Sequence, residues 1–374
     1  MTARLLRAIE SHPWRTVLAL AAVAAAARFA IALGAETPWI LGDELIYSEQ
    51  AKSIVEAGRL QVRDADIYYS IVTALLDAPG YLAGGVDVAY VWIKTVNSLV
   101  MASAALPAYG LARMALSTRW ALAFAALVLA WPAYAYTSTI MTEPAFLPAV
   151  MLFSWLLARA LVRPTLRRQA LVALAALLCI GIRLQAVVLL ASIVLACGAA
   201  VAVSGRGASA RARARAPLAG FARGLPLAVL AIQTLRGRTL RQTLGGYGDL
   251  DIGRIALDPM WTYSVRHVAV LALAVGIVPL VLGLAALPRL LRRSEERGPW
   301  AVAVVVAAVT VPLFLQVSGF ASVYSLRVQE RNLFVLEPLL VLLALIAVAR
   351  GRMGWIAVGV AAGTLTAAVL TLPV

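Results

Sequence analysis

Lysine, histidine and cysteine are nearly missing from this 374-residue chain. Lysine occurs only as Lys52 and Lys94, although Lys and Arg together number 33. Arginine therefore carries almost all the positive charge, a bias of GC-rich coding more than of chemistry. With His12 and His267 alone, a histidine-rich metal centre is excluded. Cys179 and Cys197 both lie in apolar runs, which supports neither a disulfide framework nor a thiolate metal site. Charge is scarce as well: 14% of residues are charged and 62% are hydrophobic. Soluble domains run nearer roughly half apolar and a quarter charged, so this is the composition of an integral membrane protein. No polar block is large enough for a separate soluble domain, and 1–374 reads as a single transmembrane unit.

What is abundant is long apolar sequence. A membrane span needs roughly 20 apolar residues. Runs of that order lie at 16–34, 91–112, 119–136, 143–162, 217–235, 264–287, 299–317, 332–349 and 353–373. The stretch 169–205 is too long for one helix across a bilayer and reads as two helices meeting near "GIRLQA", with Gly181 and Arg183 at the turn. The expected fold is therefore all-α and polytopic, with about eleven transmembrane helices. The basic start MTARLLRAIESHPWR leads into the first of them rather than into a cleavage motif.

Orientation follows from arginine. With a cytoplasmic N-terminus, the inner loops collect Arg4, Arg7, Arg15, Arg113, Arg119, Arg159, Arg163, Arg167, Arg168 and the 206–215 cluster. Arg289, Arg292, Arg293, Arg297, Arg350 and Arg352 complete a set of more than half the 33 basic residues, as positive-inside topology requires. Of the 18 acids, all but Glu10, Glu295 and Glu296 fall on or near the outer face. The formal net charge of +15 is thus topological, and no nucleic-acid partner is implied. The partner it does imply is the lipid bilayer, and the expected location is the plasma membrane.

The first outer loop, 35–90, is the longest. In "LGDELIYSEQAKSIVEAG" a helix over 43–58 puts Tyr47, Ala51, Ile54, Val55 and Gly58 on one face and Glu49, Lys52 and Glu56 on the other. Such a helix lies along the outer interface, with Asp43 and Glu44 at the edge of its apolar face. Asp43 alone is explained equally well as an N-cap. Glu143 in "TEP" fits either a helix start or a functional acid. Arg183 either snorkels or holds a phosphate; Arg266 and His267 pose the same choice. Arg327 and Arg331, four apart, share a helical face just outside the tenth span and suit an interfacial phosphate; an Arg–Glu network with Glu330 and Glu337 is the alternative. A carboxylate pair and an arginine cluster on one side of a bundle suit chemistry on a lipid phosphate. The acid deprotonates an attacking hydroxyl and the guanidiniums stabilise the departing phosphate.

These features resemble the GT-C glycosyltransferases, in particular the protein O-mannosyltransferase and aminoarabinose transferase branches. The shared elements are the acidic pair Asp43-Glu44 opening the first outer loop, an interfacial helix ending at Gly58, and Thr142-Glu143-Pro144. Arg183 and Gln185 follow as an R-x-Q element, and the stretch Glu330 to Pro338 as an "ERNLF…EP" element. The resemblance implies an inverting, extracytoplasmic transfer of a sugar, mannose or arabinofuranose, from a polyprenyl-phosphate donor to an envelope glycan, glycolipid or protein. Asp43 would be the base and Glu44 its orienter or an acceptor contact. Arg183, Arg266, Arg327 and Arg331 would hold the donor phosphate, with Glu143, His267, Tyr324 and Glu330 around the sugar and acceptor. It implies no metal and no cofactor beyond the lipid-linked substrate. Many relatives carry a soluble C-terminal domain for the acceptor, which this sequence lacks. A transporter or flippase of a lipid-linked sugar is the competing reading, because it too keeps ionisable groups at membrane depth. The sequence shows no matched pair of Gly/Pro-broken segments in its two halves to favour it.

Overall fold

Pro13 opens the first long helix, α1 (Pro13–Leu33), at a position whose N–H has no intrahelical partner in any case. The computed structural model describes residues 10–63, 65, 69–203, 252–292, 295–351 and 355–370. After α1 come α2 (Gly42–Ala57), α3 (Val72–Ala83), α4 (Val86–Ala102), α5 (Ala105–Ala112), α6 (Thr118–Leu129) and α7 (Glu143–Val162). Then follow α8 (Leu166–Ile182), α9 (Leu189–Val203), α10 (Leu257–Val275), α11 (Ile277–Arg292), α12 (Arg297–Phe320), α13 (Glu337–Arg350) and α14 (Trp355–Leu370). Among the described residues there is no strand, only an isolated bridge between Val62 and Ala65. The fold is all-helical, as composition and periodicity require.

Among the described residues, five stretches are long and apolar enough to cross a membrane: Pro13–Leu33, Val86–Ala112, Glu143–Val162, Leu184–Ala202 and Arg297–Ser325. α10 and α11 are apolar enough only as a pair, which forms either a broken span or a re-entrant loop. α7 and α12 are buried along most of their length and form the centre. α1 is different: Val17, Ala21, Ala25, Arg28 and Ala32 make a buried stripe, while Leu18, Val23 and Ile31 face outward. Large apolar side chains turned out of the bundle on α1, α9 and α14 are what a lipid-facing rim needs.

Three expected spans take other forms. The run 264–287 is not one helix: α10 and α11 meet at an angle of 111°. Gly276 sits between them at φ +88, a backbone region that glycine enters without steric penalty. The run 119–136 yields α6, of 12 residues, because Pro132 cannot continue it; a 3-10 turn (Ala133–Ser138) follows. The run 332–349 opens as two 3-10 turns, Glu330–Asn332 and Phe334–Leu336, before the 14-residue α13. The expected span 217–235, with Arg223, lies outside the described residues. The division of 169–205 is as expected: α8 stops at Ile182, a 3-10 turn (Leu184–Val188) intervenes, and α9 continues.

Arg28, an arginine inside a span, has a structural duty. It is buried and donates to the carbonyl of Leu129, the last residue of α6, at 2.7 Å, and toward Met101 Sδ at 3.2 Å. A helix end inside the bundle needs such a donor.

α2 matches the expected interfacial helix within a residue at either end, and Gly58 closes it in the left-handed conformation at φ +63. Tyr47 and Ala51 are buried, Glu56 is exposed, and Lys52 pairs with Glu49 at 3.3 Å. α2 packs on α3, where Ser48 and Tyr81 share a 2.6 Å hydrogen bond. On α3, Asp77 is buried with neither carboxylate oxygen bonded. Burial pushes its pKa up to about 8. The folded state therefore binds a proton that the unfolded chain releases above pH 3.8. The sign follows: stability is full below the unfolded value and is lost progressively as pH rises toward 8. Asp77→Asn should flatten this dependence and raise stability at pH 8 by an amount on the order of a few kcal/mol, seen as a higher unfolding temperature. Thermal unfolding of both proteins in detergent between pH 5 and pH 8 checks it; parallel curves would refute the assignment.

Candidate functional site

The α7–α8 hairpin creates the centre of the site. Two antiparallel helices joined by a short link bring the start of the first beside the end of the second. Glu143, in the first turn of α7, thereby meets Arg183, the residue that caps α8, with Arg183 Nη1 to Glu143 Oε1 at 3.1 Å. Each side chain also suits its helix end, an acid at an N-terminus and a base at a C-terminus. Both are buried.

Arg331 completes the group from the far end of the chain. Its Nη2 donates to Asp43 Oδ2 at 2.5 Å, and its Nε lies 3.5 Å from Glu143 Oε1. The charges alternate along Asp43, Arg331, Glu143 and Arg183, and they sum to zero. Burial opposes the charge on Arg331, but Glu143 and Asp43 outweigh it and raise its pKa above the ordinary arginine value. Access differs sharply within the group. The Asp43 side chain is 43% exposed and that of Arg331 25%, against 1% for Glu143.

The network continues inward. Arg183 Nη2 donates to Asn332 Oδ1 at 2.5 Å, and Asn332 Nδ2 to Gln329 Oε1 at 3.4 Å. The Gln329 N–H donates to His267 Nε2 at 2.9 Å. Since Nε2 accepts, the ring proton belongs on Nδ1, which faces Ser318 Oγ at 3.3 Å. A chain of contacts thus joins α2, α7, α8, α10 and α12.

Glu44 does something other than its neighbour. It is buried, with one oxygen accepting the Leu41 N–H and the other the Ile140 N–H, each at 3.0 Å. The segment before α7 is held for it by α4: Tyr90 Oη donates to the Ser138 carbonyl at 2.6 Å and Asn97 Nδ2 to the Thr139 carbonyl at 2.9 Å. Glu44 therefore fastens α2 to the entry of α7. Asp43 is not the N-cap of α2; Leu41 holds that position.

Several expected residues stand apart from the network. Arg327 and Arg331 do not share a helical face, because the π turn (Ala321–Ser325) ends at Leu326 with φ +51 and residues 326–329 are not helical. Arg327 and Glu330 are exposed. Arg266 lies over the Tyr263 ring at 5.6 Å, and Tyr324 stacks on Phe320. Arg331 pairs with neither Glu330 nor Glu337, and Glu337 instead accepts from Trp131 Nε1 at 2.5 Å.

Asn332, Gln329 and Ser318 were not expected. Asn332 adjoins Arg331 in sequence, a usable hint, whereas Gln329 acts partly through its backbone and carries no sequence signal. Buried polar atoms without partners also gather beside the network in sequence: Glu143 Oε2, Thr142 Oγ1 and Gln185 Nε2. Unsatisfied buried donors and acceptors are what a polyhydroxy ligand or ordered water fills. Among the described residues, no three His, Cys, Asp or Glu side chains are grouped as metal ligands.

Neutralising Glu143 should be far costlier than neutralising Asp43. Glu143→Gln leaves two guanidiniums facing each other with little solvent, expected to destabilise by about 3–5 kcal/mol. Asp43→Asn breaks a half-exposed pair worth about 1 kcal/mol or less. Denaturant unfolding of the two variants measures the difference, and similar losses would show that Glu143 is not the hub.

No family model matches this chain, and no match to a curated protein was found.

Proposed function

We propose that this chain is an inverting, GT-C-like glycosyltransferase that moves a sugar from a polyprenyl-phosphate donor to an acceptor hydroxyl at the outer membrane face. The observation that carries the reading is the asymmetry of the acidic groups. Asp43 is accessible and meets a partly accessible arginine, whereas Glu44 is buried and bonded through both oxygens and Glu143 is buried with Oε1 held between Arg183 and Arg331. Asp43 takes the acceptor hydroxyl proton. The acceptor oxygen forms its bond to the anomeric carbon as the bond from that carbon to the phosphate oxygen breaks. The electron pair leaves on the lipid phosphate, and Arg331, backed by Arg183, stabilises its charge. Thr142, Glu143 and Gln185 offer unfilled donors and acceptors for sugar hydroxyls. Without donor, Asp43 and Arg331 neutralise each other; a phosphate that claims Arg331 frees the carboxylate as a base. Eleven spans, a cytoplasmic N-terminus and an extracytoplasmic site belong to this proposal.

The second reading, a transporter or flippase of a lipid-linked sugar, gains support from the 111° bend at Gly276, since broken helices with free ends often line transport sites. Purified protein in vesicles, given radiolabelled polyprenyl-phosphate mannose and polyprenyl-phosphate arabinofuranose with membrane glycan acceptors, separates the two. Transfer should occur with one donor and fall about a thousandfold in Asp43→Asn while donor binding persists. Arg331→Lys, which keeps charge but loses the two-edged contact, should lose about tenfold or more. Movement of donor across the bilayer with no transfer would replace the first reading with the second.

A further inference from the structure

The end of the bundle away from Asp43 carries a second polar feature. α11 and α13 run side by side in the same direction: Gly283 lies against Leu340 and Leu343, and a Cβ there would stand 3.1 Å from the Leu340 carbonyl oxygen. Beyond that close approach the helices part around a half-open cavity of about 650 Å³. Ala286, Leu290, Ile346 and Ala347 form its apolar wall, and Arg289, Arg350 and Glu296 its mouth. α13 covers roughly 20 Å at 1.5 Å per residue, so this mouth lies about one helix length from the turn holding Arg331.

The charges at the mouth do not cancel. Arg350 donates through Nη1 to Glu296, but its Nε–H is buried without a partner. Arg289 is exposed and makes no hydrogen bond or ion pair with any described residue. Among the described residues that line the cavity, two guanidiniums thus face one carboxylate. Both helices end here, and helix C-termini repel anions, so any anion held must be held by the arginines.

We infer that this cavity seats one anionic glycerophospholipid, its phosphate between Arg289 and Arg350 and its glycerol end against Ala286, Leu290, Ile346 and Ala347. The single negative charge of a phosphodiester matches the surplus positive charge. Exposed Arg289, and the part of the Arg350 guanidinium not committed to Glu296, supply donors of the kind that bind phosphate oxygens. A basic mouth over an apolar cleft between membrane helices recognises a lipid headgroup rather than a free ion.

The test is a titration of the purified chain with dioctanoyl phosphatidylglycerol, read as a saturable rise in unfolding temperature. Dioctanoyl phosphatidylcholine and inorganic phosphate serve as the other probes. Only phosphatidylglycerol should produce the rise. The Arg289→Gln, Arg350→Gln double variant should bind it at least tenfold more weakly, at roughly fivefold per arginine. Any lipid bound at Arg183 and Arg331 is common to both proteins and drops out of the comparison. Glu296→Gln, which removes the competing carboxylate, should tighten binding, and it decides the matter if the double variant does not fold. An equal rise with phosphatidylcholine overturns charge recognition. An equal rise with phosphate alone overturns the lipid. Unchanged or weaker binding in Glu296→Gln, or undiminished binding in the double variant, overturns the site.

Discussion

One buried carboxylate organises this end of the molecule. Glu143 lies almost out of contact with solvent, and a lone ion there would be held at a cost of several kcal/mol. It is tolerable because Arg183 and Arg331 approach the same oxygen from two sides. That requirement propagates. Arg183 must stand where α8 stops, so the apolar run cannot continue straight through to α9. Arg331 must reach Glu143, so the helix ends at Leu326 and the chain runs through two 3-10 turns before α13 begins. Asp43 is then drawn to the outer side of Arg331, where it remains open to solvent.

The breaks in the apolar helices have the same logic. A helix that ends inside a bundle exposes carbonyls or amides that must find partners. Arg28 serves the end of α6, and Glu44 serves both the start of α2 and the amide of Ile140. The proposed reaction uses what this arrangement leaves over: an acid and an arginine with part of their surface free, beside polar atoms still lacking partners. The opposite end of the bundle has surplus positive charge instead, at the mouth between α11 and α13.

Much of this was legible in the sequence. Composition required an all-helical membrane protein, and the 3.6-residue period of 43–58 gave α2 nearly to its ends. The break in 169–205 followed from length and from an arginine at its centre. The bend at Gly276 was not legible, because a glycine within an apolar run signals flexibility without stating an angle. Pro132 shortened α6 in a run whose apolar character continued past it. The shared face of Arg327 and Arg331 assumed helix where residues 326–329 have none.

The sequence by itself determined that this chain belongs in a bilayer, that the run 169–205 breaks near Arg183, and that 43–58 forms a helix. Those properties are local: they depend on side-chain character, on proline and glycine, and on spacing along a helix. Only the tertiary structure decided the partners. Asp43 and Glu44 are neighbours, yet one faces Arg331, 288 positions away, and the other the amide of Ile140, 96 positions away. Adjacent helical side chains diverge by about 100°, so the packing of α2 against α3, α4 and the entry to α7 assigns one carboxylate to the open site and buries the other.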